Sequence, residues 1–239
     1  MTDLSIRPPA SELGTTELGT TELSTTEAVN NGLLNDHSQI SSALDGLPSA
    51  PIDPVNDYLT RLRESVAAIS QEEVWAVIHV LFQAWQDGRK IFICGNGGSA
   101  ATASHMANDL NKFTIFEGKP RMKAIALTDN LPLITAWAND AKYEDIFAEQ
   151  LINLVEPGDI LLAISASGNS LNVIRALETA RRFQATTIGF TGDHGGRLKD
   201  LVDYCIFIPD DYIGRQEDGH MILDHMISYT LRWMIAAVE

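Results

Sequence analysis

Short apolar runs alternating with amphipathic stretches predict an α/β fold. It is a doubly wound, flavodoxin-like parallel sheet of five strands flanked by helices, with N-terminal helices before it and a long C-terminal helix after it. Three observations carry this. Runs rich in Ile, Leu, Val or Phe fall at residues 90–95, 122–127, 159–165, 186–190 and 204–208, with helical patterns between them. Two of the runs end in polar turns that open helices, Gly95-Asn96-Gly97-Gly98-Ser99-Ala100 and Ser165-Ala166-Ser167-Gly168-Asn169-Ser170. From Gly214 to Glu239, Met221, Ile222, His225, Met226, Tyr229, Met234 and Ile235 make a broad face at helical spacing.

In chain order, residues 1–53 stand apart as an acidic, disordered tail. Glu12-Leu-Gly-Thr-Thr, Glu17-Leu-Gly-Thr-Thr and Glu22-Leu-Ser-Thr-Thr form a five-residue repeat. Residues 1–50 hold seven acids against the single base Arg7 and no aromatic residue to anchor a core. After Pro48, Pro51 and Pro54, the spacing of Tyr58, Leu59, Leu62, Val66 and Ile69, and then of Val74, Val77, Ile78, Leu81, Phe82 and Trp85, predicts two helices over 54–87. Asp87-Gly88 ends the second, and the α/β core runs over 88–239.

At 239 residues and 45% hydrophobic content the chain can bury one good core. A formal charge of −15 argues against nucleic acid or an anionic membrane surface as partner, because no basic cluster is present to neutralise phosphates. Cys94 and Cys205 sit in apolar strand patterns and read as buried thiols of a reducing compartment. With neither a basic–apolar leader nor an apolar run approaching about 18 residues, the expected location is the cytoplasm.

Strand, glycine turn and helix together build an anion site, because glycine lets the backbone approach a ligand and the helix start offers free N–H groups. The first turn also fits the G-x-G-x-x-A dinucleotide fingerprint. That reading wants an acid about 20 residues on, at the end of the second strand, whereas Asp129 lies roughly 30 on. The hydroxyls of Ser165, Ser167 and Ser170 suit a compact phosphate monoester better. His105 and Asp109 share one helix face at i,i+4, and Glu217, His220, Asp224 and His225 concentrate titratable groups on the last helix. The two clusters could form a metal site or a pair of proton-transfer groups.

Gly95 to Ser99, the His105 helix, Ala138-Asn139-Asp140, Gly158 to Leu162, Ile164 to Ser170, Thr191-Gly192 with Gly195-Gly196, and Arg215 to His225 occur in the order seen in phosphoheptose isomerases. Residues 55 to 239 thus resemble a sugar-isomerase (SIS) domain of that family. The resemblance implies interconversion of sedoheptulose 7-phosphate and the aldose D-glycero-D-manno-heptose 7-phosphate through an enediol. It implies Asp109 and His225 as the catalytic carboxylate and histidine, and a divalent metal, zinc in some members, on His105, Asp109, Glu217 and His225. Ser165, Ser167 and Ser170 would hold phosphate, with Asn96, Gly97, Gly98 and Ser99 close to the sugar and Asp140 near its hydroxyls. It further implies a homotetramer with the 54–87 helices in the interface.

Three positions depart from the family pattern: Asp109 replaces Glu, Glu217 replaces Gln, and Ala166 replaces Thr. A carboxylate one methylene shorter matters, since a misplacement near 1 Å can cost on the order of 10²-fold in rate. Two rivals therefore stand beside the heptose isomerase: an isomerase of a different sugar phosphate, and a non-catalytic SIS protein that senses a phosphosugar or docks on a protein.

Overall fold

The computed structural model describes residues 53–238, so the acidic repeat lies outside the described residues. Helix α1 (Pro54–Ala67) starts where the Asp53 carboxylate accepts from the Val55 and Asn56 N–H groups, with Pro54 in its first turn. Ser70 caps α2 (Gln71–Gln86) in the same way, accepting from Glu73 N. There follow β1 (Lys90–Cys94), α3 (Gly98–Asn108), β2 (Lys123–Ala126), α4 (Leu131–Asp140), α5 (Ala148–Leu154), β3 (Ile160–Ser165), α6 (Leu171–Arg182), β4 (Thr186–Gly192), β5 (Tyr204–Ile208) and α7 (Ile213–Ala237).

The five strands form one parallel sheet in the order β2-β1-β3-β4-β5. Each predicted strand is present within a residue or two of its expected bounds. Order reverses between β1 and β3, the crevice where open α/β sheets bind ligands, and both polar turns stand there. Alternation along β3 explains why the run is apolar throughout. Ile160, Leu162 and Ile164 pack with α2, α3 and α7 on one face, whereas Leu161 and Ala163 pack with α5 and α6 on the other. Phe92 and Cys94 of β1 join the second face, and burial pushes the Cys94 thiol up to about 12, which makes it a packing group.

Two features tie the helical layer to the sheet. After Asn108 the helix widens into a π-helical segment, Asp109–Phe113, and the Asn111 amide bonds both main-chain groups of Ala124 on the edge strand β2, at 2.8 and 3.0 Å. At the start of α7, Arg215 grips the Asp210 carboxylate through Nε and Nη2, both at 2.8 Å. The Ser65 hydroxyl of α1 donates to the same carboxylate, so α1 is pinned to the root of α7.

Candidate active site

The Gly95–Ser99 turn ends with Gly97 at φ 54°, ψ −122°, and α3 begins without a side-chain cap. The Gly98 and Ser99 N–H groups are thus open donors at a helix N-terminus. In the second turn, Gly168 adopts φ +63°, and a Cβ there would collide with the Gly195 main chain. A main-chain bond from Leu198 N to Gly168 O, and a bond from Arg197 N to the Asn169 side-chain Oδ1, fasten this loop to the Gly195–Leu198 segment. Ser165 and Ser170 hydroxyls lie 3.3 Å apart, Ser167 Oγ accepts from Asn169 N, and Ser170 leaves α6 uncapped. Three hydroxyls and open N–H groups therefore share one short loop.

An amide pair joins the two turns. Asn96 Nδ2 donates to Asn172 Oδ1 at 2.9 Å, Asn172 Nδ2 returns a bond to Asn96 Oδ1 at 2.8 Å, and the Tyr143 hydroxyl also donates to Asn96 Oδ1 at 3.0 Å. Neither Asn172 nor Tyr143 emerged from the sequence as a site residue. The signal for Asn172 was its place at the foot of α6, two residues past Ser170. Asp140 ends α4 exposed, its Oδ1 accepting from Asn139 Nδ2.

Helices α3 and α7 run side by side, and His105, Asp109, Asp224 and His225 each place a donor atom within 4.8 Å of the others. His225 Nε2 stands 3.1 Å from His105 Nε2, which is 3.6 Å from Asp109 Oδ2. Asp224 is fully buried. Its Oδ1 accepts from Ser228, and its Oδ2 has no hydrogen-bond partner among the described residues. Burial first, and then the Asp109 charge, push its carboxyl up to about 7. Two imidazoles and two carboxylates converging with one orphaned oxygen fit a divalent cation in donor chemistry and in unmet charge. Three of the four expected metal ligands meet here; the Glu217 carboxylate lies against Gly98 at the start of α3. A cavity of about 570 Å³ opens beside the cluster, lined by Asp109, Phe113, Ile222, His225, Met226 and Tyr229.

A parallel sheet of this order, with two polar turns at its switch point, is a doubly wound α/β domain of the kind that binds ligands at that crevice, and residues 56–192 match the family model described as the SIS domain. The chain belongs to that family and, within it, to the phosphoheptose isomerases. The phosphoheptose isomerase of Mycobacterium tuberculosis (strain CDC 1551 / Oshkosh) is 43% identical over 148 residues, 62% of this chain and 75% of that one. That of Crocosphaera subtropica is 42% identical over 151 residues, 63% of this chain and 76% of its own. Among solved structures, the phosphoheptose isomerase from Neisseria gonorrhoeae superposes with a TM-score of 0.69 at 30% identity, covering 74% of this chain and 96% of that chain. The enzyme from Francisella tularensis gives 0.71 at 29%, covering 76% and 97%.

Proposed function

We propose that the protein is an aldose–ketose isomerase that interconverts sedoheptulose 7-phosphate and D-glycero-D-manno-heptose 7-phosphate. The observation that carries this reading is that Asp109 and His225, brought from two helices, line one cavity. The reaction moves one proton from C1 to C2 and a second from the C1 hydroxyl to the C2 oxygen, through an enediol. Asp109 carries the carbon-bound proton and His225 the oxygen-bound one. Ser165, Ser167, Ser170 and the open N–H groups of α6 receive the phosphate. Asn96, with Gly97, Gly98 and Ser99, lies along the sugar, and Asp140 reads its hydroxyls. His105, Asp109 and His225, with Glu217 as the fourth ligand expected from the family, would hold a divalent cation, zinc in this reading, whose chemistry when bound is to polarise the two reacting oxygens.

The same reading makes the protein a cytoplasmic homotetramer built through the 54–87 helices, with the acidic residues 1–53 as a separate appendage. In a single chain the cavity wall is exposed at Phe113, Met226 and Tyr229, while Leu59, Trp75 and Trp233 are exposed nearby on α1, α2 and α7. A neighbouring subunit would cover such apolar surface and shield the enediol from water.

The test is incubation of the purified protein with sedoheptulose 7-phosphate in deuterated water, with and without added zinc, followed by NMR. Aldose product together with deuterium at the reacting carbons supports the reading. Exchange without product means that the enediol forms on a misfitted sugar. Neither signal, with binding retained, turns the assignment toward another phosphosugar or a sensor.

A further inference from the structure

We infer that Tyr143 is a specificity-determining residue: through its hydrogen bond to Asn96 it sets the preference of the site for a sugar phosphate over bare phosphate. The inference rests on the placement of Asn96 along the sugar. A main-chain group fixes the polarity of the amide pair. The Val173 N–H can only donate, and it bonds Asn172 Oδ1 at 3.0 Å, so that atom is the carbonyl oxygen and its neighbour the amide nitrogen. The Asn172 side chain is buried, and its nitrogen donates to Asn96 Oδ1 at 2.8 Å. Asn96 Oδ1 is therefore an acceptor only, and the Tyr143 hydroxyl 3.0 Å away must donate to it. One N–H of Asn96 goes to Asn172 Oδ1 at 2.9 Å, which leaves the second without a partner among the described residues. With its proton committed to Asn96, the phenol oxygen keeps only lone pairs for a ligand.

An unengaged N–H and an accepting oxygen thus stand side by side in the crevice at the end of β1. A sugar hydroxyl accepts and donates at once, and so satisfies both. Phosphate oxygens mainly accept and leave the phenol lone pairs unmet, which makes the pair a discriminator rather than a second anion site. Its mounting is rigid. Tyr143 opens a short 3₁₀ turn, Tyr143–Asp145, whose Asp145 is ion-paired to Arg175 of α6. Ile146 and Phe147, directly after the turn, are buried in the core. Asn172 and Arg175 belong to one helix, so α6 holds Asn96 from two sides, once directly and once through the Tyr143 turn. The Tyr143 ring is itself 57% exposed, so removing its hydroxyl opens no hole in the core.

The experiment compares full-length wild type, Tyr143→Phe, Asn96→Ala and the double variant. Calorimetry measures binding of sedoheptulose 7-phosphate and of inorganic phosphate, with steady-state kinetics and thermal melts in parallel. Tyr143→Phe is expected to weaken sugar phosphate binding and raise KM by about 3- to 10-fold, the scale of one neutral hydrogen bond. Its kcat should stay within about twofold, as for a contact made equally in ground and transition states. Inorganic phosphate affinity and melting temperature should not change. In the Asn96→Ala background, Tyr143→Phe should have little further effect, because the two residues act as one unit. Equal losses for sugar phosphate and inorganic phosphate overturn the inference, as does an undiminished effect of Tyr143→Phe when Asn96 is already gone. Wild type that converts the sugar with a KM indifferent to Tyr143→Phe also overturns it, and leaves the isomerase intact. Wild type that binds the sugar phosphate in a Tyr143-dependent way without converting it supports the inference and removes the activity.

Discussion

Asn96 and Asn172 exchange hydrogen bonds in both directions, one residue from the turn after β1 and the other from the foot of α6 after β3. With the Tyr143 hydroxyl also donating to it, Asn96 Oδ1 is fully engaged, and the amide meets a ligand as an N–H donor. Replacing Asn172 with Ala should free Asn96 to rotate. We expect a loss of about 1–3 kcal/mol in stability from the unmet polar groups, and a fall in kcat/KM for the sugar phosphate. A double-mutant cycle of Asn96→Ala and Asn172→Ala should show strong coupling; simple additivity would refute the clamp.

Asp109→Asn and His225→Ala should each lower kcat by about 10²- to 10⁴-fold, the range lost with a general acid or base. Circular dichroism should be unchanged, because both side chains face the cavity rather than the core. Near-normal turnover in either variant would remove that residue from the proton transfers.

Gly168→Ala places a side chain on a residue at φ +63° and into the Gly195 main chain. Strain of that backbone class costs on the order of 1–3 kcal/mol, and the collision adds to it. The expected outcome is a lowered midpoint in urea together with weakened binding of inorganic phosphate by calorimetry.

His220 is fully buried and stacks on Phe190 at 6.2 Å between centroids. Burial pushes its pKa down to about 4 from 6.5, with the Thr191 main chain opposing. The unfolded chain therefore binds more protons than the folded one between those values, so this contribution is complete above pH 6.5 and is lost as pH falls toward 4. A shift of that size corresponds to roughly 3 kcal/mol. Urea titrations across this window should show a shallower pH slope for His220→Gln than for wild type.

Arg215 and Asp210 are each 7% exposed and doubly bonded, so removing one partner strands a buried charge. Arg215→Met should cost about 3–5 kcal/mol. Arg215 and Ser65 outweigh the cost of burial and hold the Asp210 carboxyl well below its usual range. The contribution is thus present above about pH 4 and lost as pH falls through the depressed value. A variant melting like wild type at neutral pH would contradict this.

The sheet was legible because its strands are buried on both faces, which writes continuous apolar runs into the sequence. The two turns were legible because glycine and serine cluster where strands end. His105 and Asp109 could be paired from helical spacing alone, and the polar run in the first half of α7 stood out from its composition. Choosing among the acids of that run was harder. Asp224 and His225 are adjacent in sequence, and neighbouring helical positions point in different directions, so spacing gives no reason to join them at one site. Convergence depends on how α3 lies along α7. Tyr143 and Asn172 escaped for a similar reason: their roles arise from contacts across 47 and 76 residues that no local pattern records. The π-helical widening at Asp109 likewise has no simple composition signal.

That widening carries Asn111, whose amide occupies the N–H and C=O of Ala124 on β2, a strand at the margin of the sheet. A side-chain amide has the same donor and acceptor as a peptide unit, so Asn111 plays the part of one residue of a sixth strand. An incoming chain finds those two groups already taken. Bare sheet margins template fibril growth, and here the segment that begins with the proposed catalytic carboxylate also seals one. A substitution at Asn111 would therefore be felt twice, as slippage of Asp109 and as a tendency of the protein to polymerise.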